Sequence, residues 1–233
     1  MVYFVRMKTA FTVALVISSA VAAAGQWHAA EPPPGQLVVA KLKYGGGGDW
    51  YANPTSLPNL HRALRDRAGL PAAQLRDDVV ADVGTADIFN YALLFMTGHG
   101  NVRLADDELA RLRLYLERGG FLHVDDNYGL DESWRRECAR LFPQSPLVEL
   151  PPDHEIYHIY YDFPDGVPKV HEHHGGPGRG YGVFYQGRMV IFYSYNTDLG
   201  DGWEDADVHN DPPAKREAAL KMGVNIVLYA LTH

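Results

Sequence analysis

Asp125 and Asp126 form an adjacent carboxylate pair in Val124-Asp125-Asp126-Asn127-Tyr128-Gly129, and His99 lies in Thr97-Gly98-His99-Gly100-Asn101. Carboxylates near an imidazole can hold a cation or pass a proton, and flanking glycines let backbone approach a ligand closely. Asp125, Asp126 and His99 are therefore the candidate catalytic residues. Two further Gly-containing stretches, Tyr44 to Tyr51 and Asn196 to Trp203, add carboxylates and aromatic rings. The candidate ligand-binding set is Asp49, Trp50, His99, Asn101, Asp125, Asp126, Asn127, Tyr128 and Asp198. Asp and Asn also hydrogen-bond their own turns, so turn chemistry competes with function for every one of these positions.

Other motifs carry less. His154-Glu155-Ile156-Tyr157-His158 matches the zinc-protease pattern, in which a helix sets two imidazoles on one face beside a general base. Pro151-Pro152 before it and the β-branched and aromatic residues up to Pro164 predict an extended segment, which turns Glu155 away from both imidazoles. His154 stays with Asp125, Asp126 and His99 as a candidate ligand for a divalent metal, the one cofactor the sequence suggests. His171-Glu172-His173-His174, before Gly175-Gly176, reads as an exposed flexible loop that takes up added metals. Gly45 to Gly48 lack the Gly-Lys-Ser/Thr of a phosphate loop, no Gly-x-Ser-x-Gly elbow exists, and Cys138 falls inside a helix.

The elements that must position these residues alternate in type. Leu37 to Leu42, Val79 to Val83, Tyr91 to Met96 and Phe121 to Val124 read as strands, the third continuously apolar as in a strand covered on both faces. Helices are predicted over Leu57 to Ala68 with Ser56 as cap, from Asp106 to Gly119-Gly120, over Glu132 to Leu141 and over Ala214 to Ala230. Gly182 to Tyr185 and Met189 to Tyr193, split by Gln186-Gly187-Arg188, signal a hairpin. This order predicts a three-layer α/β/α sandwich with a mainly parallel, flavodoxin-like sheet and a C-terminal β-hairpin plus helix. Ligands of such sheets bind beyond the carboxyl ends of the strands, where the loops above converge.

Arg6 and Lys8 precede an apolar run from Ala10 to Val21, and Ala22-Ala23-Ala24 offers a cleavage site. Residues 1–24 are expected to be a signal peptide, 25–36 a Pro-rich tether and 37–233 one α/β domain. The run is too short for a stable transmembrane anchor, which needs about 20 apolar residues. Export to the periplasm or medium follows. A single cysteine permits no internal disulfide, and a net charge of −8 disfavours nucleic acid as a partner.

Phe95 to Asn101, Gly119 to Gly129, Asn53-Pro54, Asp153-His154, Asp198 to Trp203 and Met222 to Ile226 together closely resemble the bacterial family called domain of unknown function 4159. The resemblance runs from about Leu37 to the C-terminus and implies a divergent class I glutamine amidotransferase-like fold. In amidotransferases the turn after the strand matching Phe121 to Val124 holds a nucleophilic cysteine. Asp125-Asp126 stand there in this chain, so the resemblance implies no glutaminase activity. Two readings follow: an exported ligand-binding or assembly module, its partner a small molecule, a carbohydrate or an envelope protein; or a metal-assisted hydrolase or carbohydrate-processing enzyme using Asp125, Asp126 and His99.

Overall fold

The computed structural model describes residues 34–171 and 174–233, so the expected signal peptide and most of the tether lie outside the described residues. Strands β1 (Val39–Lys43), β2 (Val80–Asp82), β3 (Leu93–Met96), β4 (Phe121–Asp125), β5 (Val148–Glu149), β6 (Arg179–Tyr185) and β7 (Arg188–Tyr195) form one sheet in the order β2-β1-β3-β4-β7-β6-β5. The pairings from β2 through to β7 are parallel, and β6 and β5 add antiparallel strands at one edge. The protein is thus a mixed α/β structure with a mostly parallel sheet and the anticipated hairpin.

Alternation along the strands sends successive residues to opposite faces. Ala40, Leu42, Leu94, Met96, Leu122 and Val124 pack with α2 (Asp106–Glu117) and α3 (Asp131–Leu141), where Leu112, Leu116, Trp134 and Cys138 are buried. Val39, Leu93, Phe95 and Phe121 meet α1 (Ser56–Ala68) and α6 (Pro213–Thr232) through Leu57, Leu60, Leu64, Met222 and Ile226. Both faces of β3 are covered, which explains its unbroken apolar sequence.

Some expectations need correction. Ser56 is the first residue of α1 rather than its cap, and its hydroxyl donates 2.8 Å back to the Asn53 carbonyl. The hairpin turn has two residues, Gln186 and Gly187, both at positive φ, and Arg188 already belongs to β7. This is the pair of left-handed residues whose twist matches that of the flanking strands. The segment after Pro151-Pro152 is a 3-10 turn over Glu155–Tyr157, not a strand, because Ile156 and Tyr157 are drawn into the core beneath α6. Two short helices the pattern does not signal, α4 (Leu199–Trp203) and α5 (Ala206–His209), fill the connection from β7 to α6. Among the described residues, no helix is long and apolar enough to cross a membrane.

Candidate functional site

The loops after β4 and β7 meet through Asp125, which is wholly buried. Its Oδ1 accepts from Ser194 Oγ at 2.7 Å and Thr197 Oγ1 at 3.0 Å, and its Oδ2 accepts from the Gly200 N–H at 2.7 Å. Burial raises this carboxyl to about 6 against the pull of those donors. His123, packed among the tilted rings of Phe95, Phe192 and Trp203, lies 2.9 Å from Ser194 Oγ, which completes a Ser-His-Asp set. Ser194 is fully buried and His123 nearly so, which leaves that set no access to a substrate. Asp125 is accordingly the peg that fixes the β7–α4 turn, where Asn196 and Asp198 hold left-handed φ angles of 56° and 51°.

That turn delivers a cluster of carboxylates and imidazoles. Asp198 precedes α4, Asp201 and Glu204 follow on it and just after it, and His209 and Asp211 come at and beyond the end of α5. His171 joins them from the approach to β6, its neighbour Val170 pinned by a 2.8 Å N–H bond to the Thr197 carbonyl and by Lys215. His171 Nδ1 is 2.9 Å from Asp201 Oδ2 and His209 Nε2 is 3.7 Å from the same oxygen. The ligand atoms of His171, Asp201 and His209 all lie within 4.8 Å of one another. A tetrahedral ion with bonds of about 2.0 Å requires edges of about 3.3 Å, between the two separations just given.

Further carboxylates stand behind these three. Asp211 Oδ1 is 2.9 Å from His171 Nε2, the outer contact that orients a ligating imidazole, whereas Glu204 Oε2 is 2.8 Å from His209 Nε2, the same nitrogen that faces Asp201. Burial pushes Asp198 up to about 9, helped by the charges of Asp125, Asp201, Asp126 and Asp211. Burial also acts to raise Asp201, but the imidazoles of His171 and His209 outweigh it and hold that carboxyl below its usual range. The hydrogen bond to Asp201 in turn raises His171. Ionising these carboxyls together in one buried place would be costly without a cation.

The expected residues are only partly brought together. Asp198 lies on the floor of the cluster, its Oδ2 3.9 Å from His171 Nδ1. Asp126 sits beside Asp125, is raised to about 7 chiefly by burial, and accepts from the Asn196 N–H at 3.0 Å. Asn127 accepts from Thr97 Oγ1, while Tyr128 is exposed and stacks on His174 at 5.2 Å. His99 turns instead to Asp49, 3.0 Å from Nδ1 to Oδ2, and Asn101 ties Gly46 to Arg136. Trp50 meets Tyr51 edge-on, whereas Trp203 is core, donating to the Ala219 carbonyl at 2.8 Å. His154 accepts the Ile156 N–H and packs by Tyr157, Phe184 and Tyr229, and His158 bonds Asp162. Neither imidazole of the zinc-protease match belongs to the cluster, and Glu155 pairs with His233.

Fold and site together define an α/β protein with an acidic cluster at the carboxyl end of its parallel strands and a candidate metal centre of two imidazoles and a carboxylate. A family model described as a domain of unknown function, DUF4159, matches residues 38–231, and the chain belongs to that family. None of the curated proteins compared matches it.

Asp201, Glu204, His209 and Asp211 are members of the candidate centre that sequence reasoning did not select, and His171 reads in the sequence only as part of an exposed loop. The available signal was the acidic run Asp198 to Asp211 with one histidine at its end, which lacks the fixed spacing of a named metal motif. His171 is half-buried against that run rather than part of an exposed loop, and Glu172 and His173 lie outside the described residues.

Proposed function

We propose that the protein is a divalent-metal-dependent hydrolase whose ion sits on His171, Asp201 and His209. The observation that carries the reading is the mutual approach of those three ligand atoms, with both imidazoles partly open to solvent above a buried carboxylate. Three protein ligands and an open side are the arrangement of a catalytic rather than a closed structural site, in which the ion lowers the pKa of a bound water. Two nitrogens and an oxygen suit zinc, manganese or ferrous iron. Asp125, Asp126 and His99, the residues first favoured, serve here as scaffold and loop contacts.

The finer fold and setting belong to the same reading. A three-layer, amidotransferase-like sandwich is supported by the parallel strand order and by helices on both faces, and export by the charged and apolar pattern of residues 1–24. Glutaminase activity is absent on this reading, since Asp125 occupies the nucleophile's turn and is fully hydrogen-bonded. The burial of Asp201, only 6% exposed, favours as second reading a binding module that holds the ion without turnover.

Metal analysis of the untagged chain after dialysis tests both. One equivalent of zinc or manganese in wild type, lost in His209→Ala and Asp201→Asn, supports the centre. No metal above trace in wild type overturns it. Metal-dependent cleavage of nitrophenyl esters or phosphates selects the hydrolase, and a loaded but inert protein selects the binding module.

A further inference from the structure

A second feature lies across the Ala52 to Thr55 segment from the metal cluster. A cavity of about 280 Å³ is lined by Lys41, Trp50, Tyr51, Pro54, Asp77, Asp78 and Val80. Lys41 is almost wholly buried, which is unusual for a lysine, and its ammonium is already committed. It pairs with Asp78 Oδ2 at 2.5 Å and donates to the carbonyls of Ala52 and Asn53. Asp78 Oδ1, on a side chain only 9% exposed, is a buried acceptor with no hydrogen-bond partner among the described residues.

These contacts select a ligand chemistry. An anion is disfavoured, because the one cation in the wall is paired with Asp78, which leaves the wall with the net negative charge of Asp77. A purely apolar molecule would leave Asp78 Oδ1 buried and unsatisfied. A donor carrying positive charge meets both needs, and the rings of Trp50 and Tyr51, 5.6 Å apart and at 85° to each other, offer a corner whose faces attract a cation. Tyr51 is 63% exposed although large and aromatic, so this corner stands where a ligand can reach it.

We propose that this cavity binds an alkylammonium group, its N–H bonding Asp78 Oδ1, Asp77 adding charge at the mouth, and its hydrocarbon lying against Trp50, Tyr51, Pro54 and Val80. The group is carried either by a free amine or by a lysine side chain of a peptide. The site is independent of the metal reading. The Ala52 to Thr55 segment nevertheless touches both, since Asn53 gives its carbonyl to Lys41 while Thr55 donates to Glu204 through both its N–H and its hydroxyl.

The test is an NMR titration of the full chain that follows the Trp50 indole N–H, assigned by Trp50→Phe. Three probes are compared: n-butylammonium, Nα-acetyl-lysine methylamide and neutral n-pentanol. Saturable shifts with a Kd on the order of 1 mM for the ammonium probes, and none for pentanol, are expected. Tighter binding of the lysine derivative assigns the peptide source, and equal or tighter binding of butylammonium assigns the free amine. Asp78→Asn is expected to weaken binding about tenfold, the effect of losing a charged hydrogen bond. Because that variant also breaks the Lys41 pair, Tyr51→Ala provides a surface control that keeps the melting temperature and weakens binding about threefold. Equal response to pentanol and butylammonium, or unchanged affinity in Tyr51→Ala together with Asp77→Asn, would overturn the proposal.

Discussion

Replacing Asp125 by asparagine separates its scaffold role from a catalytic one. The folded carboxyl is raised to about 6 from 3.8, so its contribution to stability is fully present below pH 3.8 and is lost as pH rises through 6. The loss is roughly 3 kcal/mol by pH 8, at about 1.4 kcal/mol per unit. Asparagine keeps an oxygen for the Gly200 N–H and turns its NH2 toward the hydroxyls of Ser194 and Thr197, which have alternative acceptors in the carbonyls of Val124 and Ser194. Asp125→Asn should therefore be nearly neutral at pH 4 and gain relative to wild type as pH rises, by up to roughly 3 kcal/mol, or about 6–12 °C in Tm, at pH 8. Removing this charge also relieves Asp126 and Asp198, which feel it, so their response has the same sign. Asp125→Ala instead leaves the Gly200 N–H buried without an acceptor, costing about 1–3 kcal/mol before any void is counted. Urea unfolding followed by circular dichroism at pH 4, 6 and 8 reads both variants. An asparagine variant less stable than wild type at pH 8 by more than about 1 kcal/mol would refute this account of the carboxyl, since it contradicts the sign of the linkage.

Gly200→Ala should cost about 1–3 kcal/mol of overpacking, because its Cβ would come within 2.5 Å of Asn53 Nδ2; a Tm unchanged from wild type would show that the β7–α4 turn yields freely. Burial lowers His61 to about 4 and His123 to about 3, so both rings are expected to stay neutral at pH 5, where the unfolded chain is protonated. These two histidines therefore withdraw stability as pH falls below about 6.5, opposite in sign to Asp125, and ring nitrogen shifts at pH 5 check their state. Glu155→Ala should leave metal content unchanged and stability within about 0.5 kcal/mol, as its contact with His233 is at the surface; loss of metal would revive the zinc-protease reading. Cys138, buried in α3 with its thiol pushed well up by burial, should resist a thiol reagent until the protein is unfolded in urea.

The sheet was readable because its strands announce themselves: Leu93 to Met96 is apolar on both faces, and Gln186-Gly187 supplies the positive φ angles of a hairpin. Helix ends were readable where propensity decides, as at Gly119, and misread at Ser56, whose hydroxyl turns back to Asn53 instead of capping. The segment after Pro152 was misread because burial of Ile156 and Tyr157 overrides its β-rich composition. For the site, the sequence pointed to the end of the sheet where the acidic cluster lies and to Asp198 within it. It did not distinguish carboxylates that bond backbone, such as Asp125, from those that face imidazoles, such as Asp201. That difference depends on the packing of α4 against α1 and α6, a long-range property that local pattern does not carry.

The cluster also bears on how the chain is held closed. Two of its ligands, Asp201 and His209, share one continuous stretch, whereas His171 lies 30 and 38 residues before them along the chain. An ion held by all three would fasten the strap before β6 to α4 and α5, much as a covalent crosslink would. In the loop-entropy picture, closing a loop of that size removes freedom from the unfolded chain worth roughly 4 kcal/mol. A protein with a single cysteine has no disulfide with which to do this. The metal would then serve as its clasp, and a chelator would loosen the hairpin edge of the sheet as well as empty the centre.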